Sequence, residues 1–395
     1  MRINVFFDVY PHPAKPYFEN QLAEWRRQGH TLRIFSLGQI PGATSKFEIT
    51  FIETLRQRPV RLASKILWRA LTHPLRSFRV WRSEHHFLDK TKRLATDAQL
   101  LSDVPDVHFM HNLATAVYFS YLRLAAPRTT LAIYYHGGEI PGVRQIPLEE
   151  SSQALGRAHI VFSNTDASVR EVISRGASPE RTARIPVAFP LEHFKQPDNR
   201  SYLPNGRWRF VCLGRMAREK GFDVVLRAFA DLKKQRQDFH LTLIGTGPEL
   251  AALKTLAAQL GLTDQVSFTG FIESYQEMVG SLAHYDALIF SSLPVTGSNF
   301  RDTQACVMQE AMLMRACVVA SDIGGIRESL PPILHPYLYT PGAKDELLAS
   351  LSALMALDAA ALQTASQTAR RFVVDNYDIR RVNERLLAQV AAIDA

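Results

Sequence analysis

The 395-residue chain is 46% hydrophobic and 21% charged, with 46 Lys and Arg against 38 Asp and Glu, a net charge of +8. This composition excludes a disordered chain, and the length exceeds what one ordinary core organises, so two domains are expected. Three cysteines in apolar settings (Cys212, Cys306 and Cys317) suggest reduced thiols in the cytoplasm rather than a disulfide framework. No run of about 18 apolar residues calls for a transmembrane helix, and the opening MRINVFFDVY is too short and wrongly flanked for a signal peptide.

In chain order, residues 2–7 predict a strand, 17–28 a helix closed by Gly29, and 31–37 a second strand. Basic helices interrupted near Pro59 and Pro74 follow. Strands at 106–110, 131–135, 159–163 and 184–187 then alternate with helices at 114–126, 151–158 and 166–175. Residues 190–206 are polar, proline-bearing and aperiodic, which places a linker there. A second alternation puts strands at 209–213, 240–244, 266–269, 287–290 and 317–320, with helices at 220–235, 249–260, 275–282 and 303–314. Helices at 343–355, 359–376 and 380–392 close the chain. Such alternation means an α/β protein with two doubly wound parallel sheets. The expected units are a domain over 1–195, a linker over 196–206, a domain over 207–370, and a segment 371–395 that packs back on the first domain. A ligand then lies in the cleft facing the carboxyl ends of both sheets.

Four stretches in the second half carry candidate chemistry. Phe210 to Gly221 reads as a strand ending at Gly214, with Arg215 and Lys220 supplying two cations suited to a diphosphate. An ordinary solvated turn fits the same residues. Ile244-Gly245-Thr246-Gly247 and Gly270-Phe271-Ile272 are further strand-end turns, the latter with backbone groups that suit a base edge. Thr296 to Glu328 joins a polar loop, a helix, a β-branched strand and the turn Gly324-Gly325. Asp302 and Glu310, eight positions apart, fall on nearly one helical face if the helix starts just after Asp302. Glu310 is flanked by apolar residues, where an unpaired carboxylate is costly and a ribose diol would satisfy it; a structural carboxylate is the alternative. Asp302 fits either an N-cap or a sugar contact.

Together these elements resemble the retaining glycosyltransferases of family 4, the group 1 glycosyl transferases of GT-B fold, over nearly the whole chain and most strongly from Phe210 to Glu328. That resemblance implies two Rossmann-like domains around a central cleft, the first for acceptor and the second for nucleotide sugar. It implies that Gly214, Arg215, Lys220 and Gly221 take the diphosphate, that Glu310 holds the ribose and that Asp302 contacts the donor sugar. With Gly245, Gly247, Phe271, Ile272, Thr303, Gln304 and Ala305 these make the donor set. This chain departs from the family in carrying Asp302 where Glu is usual, and Thr303-Gln304-Ala305 in place of Gly-Phe-Gly. Met314-Arg315-Ala316 stands after the alanine-rich helix where a Gly is common. His136 resembles the family's strand-end histidine near the anomeric carbon, so the implied catalytic set is His136, Arg215, Lys220 and Asp302. The loop 10–18 resembles that of a branch building bacterial surface polysaccharides, which puts His12 and Lys15, with Gly137 and Gly138, on the acceptor side. His108 and His111 read as core residues.

The reaction implied is hexosyl transfer, with retention, from a nucleotide diphosphate sugar to a hydroxyl of a saccharide or lipid-linked acceptor. No cofactor and no metal are expected, because Arg215 and Lys220 take the part of a divalent ion and no Asp-x-Asp motif is present. Between Arg56 and Arg93 eleven Lys and Arg face only Glu84 and Asp89. An apolar stripe of Leu62, Ile66, Leu67, Ala70 and Leu71 runs among them, near Trp68 and Trp81. A peripheral site on an anionic membrane fits this segment, and so does a solvated helical face against the core; nucleic-acid binding is not expected. A sugar-nucleotide 2-epimerase or a non-catalytic GT-B scaffold would share the same fold signals.

Overall fold

The computed structural model describes residues 1–12, 15–53, 57–83, 87–100, 104–137, 146–195, 200, 202–295 and 302–393. Two parallel sheets organise them. The first contains β1 (Arg2–Val9), β2 (Thr31–Gly38), β3 (Ile49–Phe51), β4 (Val107–Met110), β5 (Thr130–Tyr135), β6 (Ile160–Ser163) and β7 (Thr182–Arg184), in the order β3-β2-β1-β4-β5-β6-β7. The second contains β8 (Trp208–Leu213), β9 (Phe239–Ile244), β10 (Val266–Gly270), β11 (Ala287–Phe290), β12 (Cys317–Ser321) and β13 (Leu338–Tyr339), in the order β10-β9-β8-β11-β12-β13. The strand order reverses between β1 and β4 and again between β8 and β11, and such switch points open a crevice at the carboxyl ends of the strands.

Every residue of β4, β5, β6, β11 and β12 is buried. Parallel strands covered by helices on both faces carry continuous apolar runs, which is why their sequences do not alternate. The edge strands β3 and β13 are three and two residues long and show no readable period. The helix expected over 114–126 divides into Leu113–Phe119 and Leu122–Ala125, the first opened by a capping box on Asn112. The strand expected at 184–187 lies at Thr182–Arg184. The predicted 220–235 helix begins at Phe222, because Gly221 takes a left-handed φ of 61° after a short turn over Arg218–Lys220. Arg315 adopts φ 62°, the conformation that makes glycine common at that turn.

The chain returns to its first sheet at the end. Phe189 N–H donates to Tyr377 C=O at 2.9 Å, and Ile379 N–H donates to Phe189 C=O at 3.0 Å. The last helix, Ile379–Ala391, places Ile379, Val382, Leu386 and Val390 in the core beside Leu22 and Trp25. Asn383 Oδ1 accepts the Trp25 indole N–H at 2.8 Å, so this buried amide locks the register of the closing helix.

The basic segment forms helices Pro59–Thr72, Pro74–Arg82 and Phe87–Asp97, the first two with proline in their opening turns. The expected apolar stripe does not share one face. Leu62 points into the core, whereas Leu67 and Leu71 are exposed. Arg69 is buried against Asp97, so it is not a surface cation. Arg56 lies outside the described residues. No single described helix is long and apolar enough to cross a membrane.

Candidate active site

Glycines bring the loops after β8, β9 and β11 together. Gly245 has φ 136°, and a Cβ there would stand 2.0 Å from Gly214 O; one on Gly221 would stand 2.2 Å from Ser291 O. Only a residue without a side chain permits either approach. Around these turns opens a cavity of about 540 Å³. The second domain lines it with Gly214, Arg215, Lys220, Ile272, Asp302 and Glu310, and the first closes it with Pro16, Tyr17 and Asn20. Phe271, 59% exposed, stands at its edge as a flat apolar surface.

One end of the cavity holds two cations, each paired with a carboxylate. Lys220 Nζ lies 2.6 Å from Asp302 Oδ2 and 3.4 Å from Ser292 Oγ, and the Ser292 hydroxyl donates to the same Asp302 oxygen. Arg215 pairs with Glu219 and keeps half its side chain in solvent. The helix Cys306–Leu313 opens at Ala305 with no side-chain cap, and Ala305, Cys306 and Val307 line the cavity. An uncapped first turn presents N–H groups and the positive helix end to an anion.

The other end is a buried acid. Glu310 is 6% exposed and its Oε1 accepts the Tyr275 hydroxyl at 2.8 Å. Burial pushes its carboxyl up to about 7, against the smaller downward pull of the Tyr275 hydrogen bond. A hydroxyl pair donating to the carboxylate would supply what the apolar wall withholds.

Several expected positions need correcting. The helix begins at Cys306 rather than just after Asp302, so Asp302 is neither its N-cap nor on its face. Asp302 reaches the cavity from the preceding loop, held by Lys220 and Ser292. Thr303 does not line the cavity: its hydroxyl donates to His136 O at 2.9 Å and accepts from Asn164 Nδ2 at 2.9 Å. Gln304 borders the cavity but spends its amide on Val187, accepting N–H and donating to C=O, each at 2.8 Å. Both side chains therefore bridge the two domains. Glu328 adds a third bridge, accepting from Asp166 N–H at 2.6 Å and Ala167 N–H at 2.8 Å at the start of a first-domain helix. Gly247 also lies off the cavity, packed so closely on Met216 that a Cβ there would meet its O at 2.3 Å. Gly138 and residues 296–301 lie outside the described residues.

Gly137 sits on this bridge with φ 111°, and a Cβ there would stand 2.7 Å from Thr303 Cγ2. Gly137→Ala is expected to push the domains apart without unfolding either. Small-angle scattering should show a larger radius of gyration while nucleotide affinity, carried by the second domain, stays near wild type. An unchanged radius would refute the bridge.

His136 lies behind the cavity wall. Its ring stacks on Tyr134 at 4.2 Å and its Nε2 stands 3.4 Å from His111 Nδ1. Burial, and secondarily Lys15, pull its pKa down to about 3, so the ring is neutral at neutral pH. Its carbonyl already accepts from Thr303 and Asn164. His12 and Lys15 do not line the cavity; both are drawn down in pKa by burial first, and Lys15 influences His12, His111 and His136 alike. Sequence reasoning missed Tyr17, Asn20, Tyr275 and Ser292. Tyr275 opens a helix behind Ser274 after a Gly turn, the one signal that could have marked it.

Residues 195–372 match the model of the family described as glycosyl transferases group 1. The chain is 27% identical over 221 residues to the 2-deoxystreptamine glucosyltransferase of Streptomyces kanamyceticus, covering 56% of this chain and 54% of that protein. It is 26% identical over 226 residues to the alpha-monoglucosyldiacylglycerol synthase of Streptococcus pneumoniae, covering 55% and 49%. The alignments thus span about half the length of these curated relatives. Among solved structures, Anabaena HepE in complex with UDP superposes with a TM-score of 0.73 at 17% identity, over 99% of both chains. Sucrose-phosphate synthase of Thermosynechococcus elongatus gives 0.72 at 17% identity, also over 99% of both. The chain has the GT-B fold, and its residues 195–372 match the glycosyl transferases group 1 family.

Proposed function

We propose that this protein is a retaining, metal-independent glycosyltransferase that moves a hexosyl unit from a nucleotide diphosphate sugar to an acceptor hydroxyl in glycolipid or surface-polysaccharide assembly. The observation that carries the reading is one cavity with a lysine and an uncapped helix start at one end and a buried, half-satisfied carboxylate at the other. That polarity matches a nucleotide laid with diphosphate on Lys220 and ribose on Glu310. The glucosyltransferase and synthase names of the relatives, and the UDP held by HepE, support the donor class.

In this reading the bond from the anomeric carbon to the diphosphate oxygen breaks and one to the acceptor oxygen forms. The acceptor's proton passes to the departing phosphate oxygen. Lys220, Arg215 and the amides of Cys306 and Val307 stabilise the charge that develops there, and preorganised charges of this kind are usually the largest catalytic contribution. Asp302, bound to Lys220 before substrate arrives, turns to the donor sugar once the diphosphate takes over the ammonium. Tyr17 and Asn20 close the cavity from the acceptor side and limit access of water.

A thermal-shift screen against UDP, GDP, ADP and their sugars, followed by product analysis, tests this: one nucleotide series should raise the transition temperature by mass action, and transfer should persist in chelator. Loss of transfer on chelation would contradict the metal-independent reading, and no shift with any nucleotide would contradict the donor class.

The pH dependence has a defined sign. Because burial holds the Glu310 carboxyl near 7, its contribution to apo stability is full below the ordinary carboxyl range, around 4.5, and is lost as pH rises through about 7. A diol donating to the carboxylate favours the charged form, so nucleotide affinity should rise through the same window. Titration calorimetry with the parent nucleoside, which carries no titrating phosphate, in buffers of differing ionisation enthalpy should detect proton release near pH 6.5 in the wild type and none in Glu310→Gln.

A further inference from the structure

A second cavity of about 340 Å³ opens on the first domain, away from the cleft. Pro105 and Pro127 on its rim precede β4 and β5, so it lies at the amino ends of those strands, whereas His136 and the nucleotide cavity stand at carboxyl ends. Its lining carries Arg69, His73, Arg76, Arg79, His108 and Arg128. Only Asp97 offsets these cations among the described residues, holding Arg76 through a bond of 2.6 Å and Arg69 at 4.0 Å. Arg79 and Arg128 make no ion pair with any described residue.

Two deep groups are left wanting a partner. His108 is 2% exposed, lines the cavity, and neither ring nitrogen has a hydrogen bond. Arg69 is 5% exposed, and its Nε faces Asp97 at 4.0 Å but makes no hydrogen bond. Buried donors of this kind are costly unless something fills them, and three cations beyond the single carboxylate specify an anion. At about 30 Å³ per water the cavity holds roughly eleven waters, more than a bare inorganic ion requires.

The two helices that supply Arg69, Arg76 and Arg79, with His73 at their junction, turn an apolar face outward. Leu67 is 64% exposed, Trp68 54%, Leu71 74%, Leu75 73% and Phe78 56%, with the Arg82 guanidinium over the Phe78 ring. Basic charge beside exposed leucines and aromatics suits a bilayer interface, where rings and aliphatic chains enter and arginines meet phosphates.

We propose that the cavity lined by Arg69, Arg79, His108 and Arg128 binds the phosphate headgroup of an anionic lipid, with Leu67, Leu71, Leu75 and Phe78 seated in the bilayer beside it. The site is independent of the nucleotide cavity, so its test stands whatever the donor proves to be.

The experiment is co-sedimentation of the full chain with vesicles of phosphatidylcholine alone or with phosphatidic acid, for wild type, Arg79→Ala/Arg128→Ala and Leu71→Ser/Leu75→Ser. All four substituted side chains are on the surface, so folding should survive, as circular dichroism would verify. Binding should require phosphatidic acid and fall at least tenfold in both double variants. Equal binding to phosphatidylcholine, or wild-type binding by the arginine variant, would overturn the proposal. A thermal shift with inorganic phosphate that the arginine variant loses, without vesicle binding by the wild type, would also overturn it, in favour of a soluble phosphorylated ligand.

Discussion

Lys220→Ala is expected to lower sugar transfer about 10²–10³-fold, the usual cost of removing one preorganised group from developing negative charge, while leaving the fold intact. The side chain is 22% exposed and outside both cores, so unfolding by heat or denaturant should scarcely change. Its loss also strands Asp302 in the donor cavity, where an unpaired carboxylate repels a diphosphate. Adding Asp302→Asn should therefore restore part of the nucleotide affinity without restoring turnover. Arg215→Ala should cost less, because that guanidinium is half in solvent and already shared with Glu219. Wild-type turnover in Lys220→Ala would remove the diphosphate assignment.

Glu310→Gln should weaken nucleotide binding about 10- to 100-fold, the range for a hydrogen bond to a charged group, and at the same time stabilise the empty protein. The amide keeps the Tyr275 hydrogen bond but carries no charge to bury. At pH 8 the wild type must hold an ionised carboxylate in a site that favours the neutral form, a penalty of order 1–3 kcal/mol that the variant escapes. Denaturant melts at pH 5 and pH 8 should bring the two proteins together at the lower pH and separate them at the higher. A variant that loses both stability and binding would mark Glu310 as a structural carboxylate.

How far this site could be read in the sequence follows from where each residue's information lies. Glu310 announces itself because a carboxylate inside MQEAMLM conflicts with its neighbours, and such conflicts are local. Gly214 and Lys220 follow from a strand-to-glycine turn, also local. The start of the Cys306 helix could not be read, because Thr303 and Gln304 fit a helical pattern but are drawn into hydrogen bonds with His136 and Val187, over a hundred positions away. Tyr17 and Asn20 reach the donor cavity only because the last helix packs on the helix that carries them. The basic segment was visible as charge, yet Arg69 turned inward to Asp97 and Leu67 outward, a division set by packing rather than by period. The sheets were legible where strands are buried and apolar, and β3 and β13 were lost because two or three residues carry no pattern.

The most direct measurement is a calorimetric comparison of one nucleoside diphosphate with its parent nucleoside, in wild type, Lys220→Ala and Glu310→Gln. If the diphosphate rests on Lys220 and the ribose on Glu310, the wild type prefers the diphosphate strongly, Lys220→Ala loses most of that preference, and Glu310→Gln weakens both ligands alike. A Lys220→Ala protein that keeps the full wild-type preference would contradict the assignment of the cavity.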